Sequence, residues 1–181
     1  MGEFILKFCG IDLAVKRPST IAVFENTLIY VSDVVTDGEI LSGCSGSKII
    51  AIDSPLSMSK GFRKVDRLMI KNGFRVLPPS WMKGLVERAI RLNSILNAEV
   101  IETHPTSSEK NINLNWKDVG AKKKDELDAV ICALVAYFKD KGNILKIEAE
   151  DGIIYLLPRG TLKIERKSEN IYEFKDFYPA L

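Results

Sequence analysis

Several acidic residues of this chain stand at the ends of apolar runs, where an unpaired charge is costly to bury. Asp12 closes FCGID, Asp53 closes KIIAID, Glu102 closes VIE, and Asp125 and Asp128 open the run KKKDELDAVICALVAYF, Lys122 to Phe138. A buried carboxylate without a partner costs several kcal/mol, so each acid belongs at a strand's carboxyl end, where ligands gather in α/β sheets. If the strands ending in Asp12 and Asp53 are parallel neighbours, their carboxylates lie side by side. Acids so crowded repel one another unless cations sit between them. Hard oxygen ligands from separate elements suit Mg2+ or Mn2+, with open positions left for water and a phosphate. Two such ions about 4 Å apart can activate a water and stabilise the leaving oxygen in phosphodiester cleavage.

Each acid also has a plainer explanation. Asp125 is a good N-cap with Asp128 three residues on, which fits a capping box in a helix whose dipole favours acids at its start. Asp12 and Asp53 suit Asx-turns after their strands. The coincidence at three strand ends favours a shared site. His104, two residues past Glu102, projects from the same face and could act as general acid or base, although a histidine beside Pro105 also suits a structural role. Lys60, Arg63, Lys64, Arg67 and Lys71 form a basic stripe at helical spacing that could neutralise phosphates, or simply face solvent. Lys122, Lys123 and Lys124 could steer a polyanion or solvate a loop. Trp81 and Trp116 could stack on bases, with Trp81 reading as core in its helical pattern.

The elements that must position these residues alternate between strand and helix. Phe4 to Leu13 is apolar at nearly every position, and Thr20–Glu25 and Leu28–Val35 flank a tight turn at Asn26-Thr27. A helical turn fits Glu39 to Cys44, and Lys48–Asp53 reads as a strand covered on both faces, as does FCGID. Helices are expected over Gly61–Asn72 and over Ser80–Asn97, the second capped by Ser80. A strand over Ala98–Thr103 is stopped by Pro105, and a polar loop of roughly twenty residues follows. In the Lys122–Phe138 helix, Leu127, Val130, Ile131, Leu134, Val135 and Phe138 form the core stripe, while Ala129, Cys132, Ala133 and Ala136 permit close packing on other sides. Ile144–Glu148 and Gly152–Leu157 suit a hairpin or a strand extension. Residues 1–158 read as one domain, and 159–181 as a charged tail of uncertain order.

The 181 residues, 46% hydrophobic and 28% charged, suit one globular domain with a full core. No apolar run is long enough to span a membrane, and Glu3 and Lys7 spoil a signal peptide, which places the protein in the cytoplasm with no membrane partner. Cys9, Cys44 and Cys132 are expected as reduced core thiols, and one histidine with no CxxC pair argues against a zinc site of the usual nitrogen and sulfur type, so any metal here is expected on oxygen. The net charge of +2 neither favours nor excludes nucleic acid.

GIDLA, AIDSP, IETHP, the closing helix KKKDELDAVICALVAYF and the following EAEDGIIYLLP resemble the family known as domain of unknown function 429, over roughly Phe4 to Pro158. Members are regarded as nucleases of the ribonuclease H-like fold. The DxxD pair of the last helix is also similar to that of bacterial Holliday-junction resolvases. The resemblance implies an α/β fold with a five-stranded mixed sheet, order 3-2-1-4-5, and helices on both faces. It implies Asp12 as a ligand bridging two metals, Asp53 as the fourth-strand ligand, Asp125 or Asp128 as the ligand from the last helix, and Glu102 as part of a catalytic ExHP motif. Resolvases carry Glu at the position of Asp53. Arg63, Asp66 and Arg67 match the family's RxxDR pattern, which makes Arg63 and Arg67 the foremost phosphate contacts, with Lys124 and His104 beside them.

These readings converge on a nuclease dependent on Mg2+ or Mn2+ and acting on DNA or RNA. A non-catalytic binding module is the main alternative. An ATP-dependent phosphotransferase lacks support, since DLAVKRPST holds no Gly-rich phosphate loop.

Overall fold

The computed structural model describes residues 5–181; Met1–Phe4, and with them the first residue of the strand expected over Phe4–Leu13, lie outside the described residues. The opening meander follows its apolar pattern. β1 (Lys7–Asp12) pairs antiparallel with β2 (Ser19–Glu25), and β2 with β3 (Leu28–Val34). Asn26 takes the left-handed φ of 61° at the turn between them, a conformation asparagine tolerates better than most residues. Thr36 then caps α1 (Asp37–Gly43), its hydroxyl accepting the Glu39 N–H at 3.1 Å.

β4 (Ile49–Asp53) lies parallel to β1, and β5 (Glu99–Thr103) parallel to β4. These strands are apolar on both faces because both faces are covered. On one face lies α5 (Lys124–Lys141), in which every residue from Glu126 to Ala136 is buried, with α4 (Pro105–Ile112) beside it. On the other, α1 and α3 (Lys83–Ile95) enclose a second core, and α2 (Lys64–Lys71) packs on a third.

The five-stranded sheet is not what forms. The described residues build one nine-stranded mixed sheet in the order β6-β7-β5-β4-β1-β2-β3-β9-β8, and only the α/β class of the expectation stands. All four additional strands follow α5. β6 (Leu145–Ala149) and β7 (Gly152–Leu156) make an antiparallel hairpin, and β7 continues the sheet in parallel beside β5. The segment read as a tail supplies β8 (Gly160–Ser168) and β9 (Ile171–Pro179), with β9 docked on β3. Leu162 is buried and Ile164 half-buried between exposed Lys163 and Glu165, the alternation of a strand with one wet face. Tyr172 from β9 is wholly buried.

Other boundaries move for local reasons. α2 begins at Lys64 rather than Gly61, with Arg63 as its N-cap. The helix expected from Ser80 breaks into a 3-10 turn, Pro79–Met82, before α3, because Met82 leaves helical geometry at φ −128° and ψ 41°. Ser80 does not cap it; its hydroxyl donates to the Lys60 carbonyl instead. The expected loop after Pro105 is largely α4, with Pro105 at its first helical position. Cys9 and Cys44 form a disulfide instead of free thiols, leaving Cys132 as a buried free cysteine. Among the described residues no helix is long and apolar enough to cross a membrane.

Candidate metal centre

Strand register brings the first two acids together. β1 and β4 pair Ile11 with Ile52, so Asp12 and Asp53 stand next to one another at the carboxyl ends of parallel strands. Alternation turns both toward the face covered by α5, in line with Gly10 and Ala51. Gly10 is what lets the helix come close. A Cβ there would collide with backbone atoms of Ala129 and Ala133 and lie 2.7 Å from the Cys132 carbonyl carbon. α5 therefore rests its backbone on β1 two residues before Asp12, and its first turns lie over the strand end.

Asp125 and Asp128 project there. Asp12, Asp125 and Asp128 each offer a carboxylate oxygen, all within 4.8 Å of one another, and Asp53, outside that trio, stands beside Asp12 on the neighbouring strand. Neither helix acid caps α5. Its N-cap is Lys123, which makes no side-chain capping bond; Glu126 Oε2 accepts the N–H of Lys122, just ahead of the helix, at 2.8 Å and the Tyr172 hydroxyl at 3.1 Å.

A further carboxylate, Glu109 from α4, completes the group. Lys124 Nζ holds both Asp128 oxygens at 2.7 and 3.0 Å and lies 3.8 Å from Glu109. Arg17 reaches in from the β1–β2 loop, 3.2 Å from Asp125 and 3.7 Å from Asp12. Two cations do not neutralise five acids. Burial, then the charges of Asp128 and Asp125, raise the Asp12 carboxyl from 3.8 to about 7. Burial, then Asp12 and Asp128, hold Asp53 well above the usual carboxylate range. Burial, then the neighbouring Asp128 carboxylate, raise Glu109 to about 8.

Two oxygens in this group, Asp12 Oδ2 and Glu109 Oε1, are buried and accept no hydrogen bond. Asp12 is only 2% exposed, so an orphaned acceptor there is costly. An oxygen-only donor set with unsatisfied lone pairs and surplus negative charge fits a hard divalent cation.

Glu102 does not join this group. It is level with Ile52 and Asp53 is level with Thr103, so Glu102 leaves by the opposite face of the sheet. There Arg63 donates to it through Nη1 at 2.9 Å and Nη2 at 2.6 Å, and to Asp66 through Nε at 3.0 Å and Nη2 at 2.8 Å. The Leu56 N–H also donates to Glu102, at 2.9 Å. All three charged side chains are buried, so Arg63 is a structural cation and not an exposed phosphate contact. Lys64 pairs with Glu150, which leaves Lys60, Arg67 and Lys71 as the exposed remainder of the basic stripe. Burial, then the nearby charge of Lys124, lowers the pKa of His104, whose Nδ1 lies 2.6 Å from the Ser107 hydroxyl. Trp81, expected in the core, is 74% exposed, whereas Trp116 packs against the main core.

A cavity of about 340 Å³ opens over the strand ends, with Asp12, Asp53 and His104 in its wall. Glu109, Arg17 and Gly10 escaped the sequence reading. Glu109 lay in a segment without hydrophobic periodicity, Arg17 in a short loop, and Gly10 inside an apolar run where its lack of a side chain carried no signal. Asp66 was visible three residues after Arg63 but its burial was not. No protein-family model and no curated protein matches the chain, so the functional reading rests on the site itself.

Proposed function

We propose that the protein is a divalent-metal-dependent nuclease that hydrolyses phosphodiester bonds of nucleic acid, with Mg2+ or Mn2+ held by Asp12, Asp53, Asp125 and Asp128. The observation that carries this reading is the cluster of Asp12, Asp125 and Asp128 oxygens within 4.8 Å of one another, with the buried Asp12 Oδ2 accepting no hydrogen bond. Bound there, such an ion supplies a Lewis acid for water activation and for phosphoryl oxygens. The chain's own groups do the rest. Asp12 and Asp53, at adjacent strand ends, fix the ligand oxygens on a rigid sheet; Arg17 and Lys124 place positive charge beside them for an anionic substrate. His104, kept neutral by burial, is available to take a proton in the same cavity.

The reading of Asp125 and Asp128 as caps loses its ground because the N-cap is Lys123 and no side chain caps α5. The test is cleavage of a panel of single-stranded, duplex, hybrid and branched DNA and RNA with Mg2+ or Mn2+. Asp12→Asn is expected to abolish cleavage while keeping the fold. Failure of the well-folded wild type on every substrate would overturn the proposal.

A further inference from the structure

The cavity has two chemically distinct parts. Asp12 and Asp53 turn to the α5 face at the strand ends; on the opposite face the wall is apolar, with Leu85, Val76 and Ile154 from the cores there and Leu77 and Met82 beside them. Arg17 and Arg75 also line it, and Arg75 makes no ion pair among the described residues. Arg63, Asp66 and Glu102 contribute wall only, since they satisfy one another. At about 340 Å³ the space lies at the small end of the range for ligand pockets, about 300–1,000 Å³.

We infer that the apolar part of this cavity is a nucleobase pocket, so that the substrate is a strand with an unpaired base next to the cleaved phosphate and not a continuous duplex. This rests on the nuclease reading. Asp12, Asp53, Arg17 and Arg75 share the wall with the apolar residues, so a phosphate held at the acids has the apolar wall open to its attached nucleoside. In a duplex each base has its edge paired and its faces covered by neighbours, so none is free to enter; an unpaired or extruded base is.

The experiment follows Mn2+-dependent cleavage of three labelled substrates of one sequence, made in DNA and in RNA. They are a single strand, its blunt duplex, and the single strand with an abasic unit at the mapped cleavage position. Mn2+ binding is measured in parallel by calorimetry. The single strand is expected to be cut about tenfold or more faster than the duplex, and the abasic unit to cost a similar factor. Met82→Trp, which fills the cavity, should lose the same preference with Mn2+ binding unchanged. Equal cleavage of duplex and single strand, or indifference to the abasic unit, would overturn the pocket and leave the nuclease reading standing. Absence of all cleavage by protein that binds Mn2+ would overturn both. Preferential hydrolysis of free mononucleotides would overturn the strand as substrate.

Discussion

Gly10 of β1 and Ala133 of α5 touch backbone to backbone, with no room between them for even one methyl group. This contact sets the height of α5 above the sheet and so the reach of Asp125 and Asp128 toward Asp12. Gly10→Ala is expected to destabilise the fold by about 1–3 kcal/mol or more, because the clash is with main-chain atoms that cannot rotate away. Urea unfolding measures the loss. Calorimetry should show weaker Mn2+ binding by the folded fraction, and unchanged stability and binding would contradict the arrangement.

The acidic group makes metal-free stability depend on pH in a definite direction. Asp12 and Glu109 titrate in the folded protein at about 7 and about 8, above their ordinary 3.8 and 4.5. Folding therefore favours their protonated forms; this contribution is full below about pH 4 and is lost as pH rises through 7 to 8. A divalent ion competes with those protons. The Tm increase on adding Mn2+ should be larger at pH 8 than at pH 5.5. Without metal at pH 8, Asp12→Asn should stabilise by about 1–2 kcal/mol and remove the metal-induced shift. A metal shift independent of pH would count against the site.

Arg63 lies between Asp66 and Glu102 with every donor direction toward them occupied. Arg63→Ala leaves two buried acids without a cation, and the expected cost is about 3–5 kcal/mol. Exposed Arg67 makes a fair control, because Arg67→Ala should leave stability within about 0.5 kcal/mol of the wild type. Thermal denaturation separates the two. Should Arg63→Ala weaken nucleic-acid binding and leave Tm untouched, the arginine is a phosphate contact after all.

The C-terminal hairpin predicts a different kind of dependence. β9 covers the edge of β3, and its Phe174 packs edge-on to Phe24 and Phe138 with ring centroids 6.2 and 5.7 Å apart. A chain ending at Pro158 should expose that edge and lose cooperative unfolding or aggregate, as seen by size-exclusion chromatography. The gentler Tyr172→Phe removes only the hydroxyl bonded to Glu126 and should cost about 1–2 kcal/mol.

Where the chain alternates or runs apolar over several residues, its sequence already marks the element, as in the meander, the parallel strands ending at Asp12 and Asp53, and α5. What it does not mark is set by partners distant in sequence. Glu102 looked equivalent to Asp53 because each ends a strand, yet the register offsets them by one residue, and one residue reverses the face. Arg63 looked exposed because its helix is polar, and only the fold brings Glu102 to it. The β8–β9 alternation was present in the residues but diluted by charge on the solvent side. Glu126, in the middle of DELD, could not be told from its neighbours, since only the fold brings Tyr172 to it.

That last pairing has a temporal side. Glu126 and Tyr172 are 46 residues apart, and Tyr172 lies in β9, which follows α5 in the chain. Asp12 and Asp53 leave the ribosome long before the partner that steadies the first turn of α5. The start of α5 is thus tied through Glu126 to a residue made well after every acid of the group.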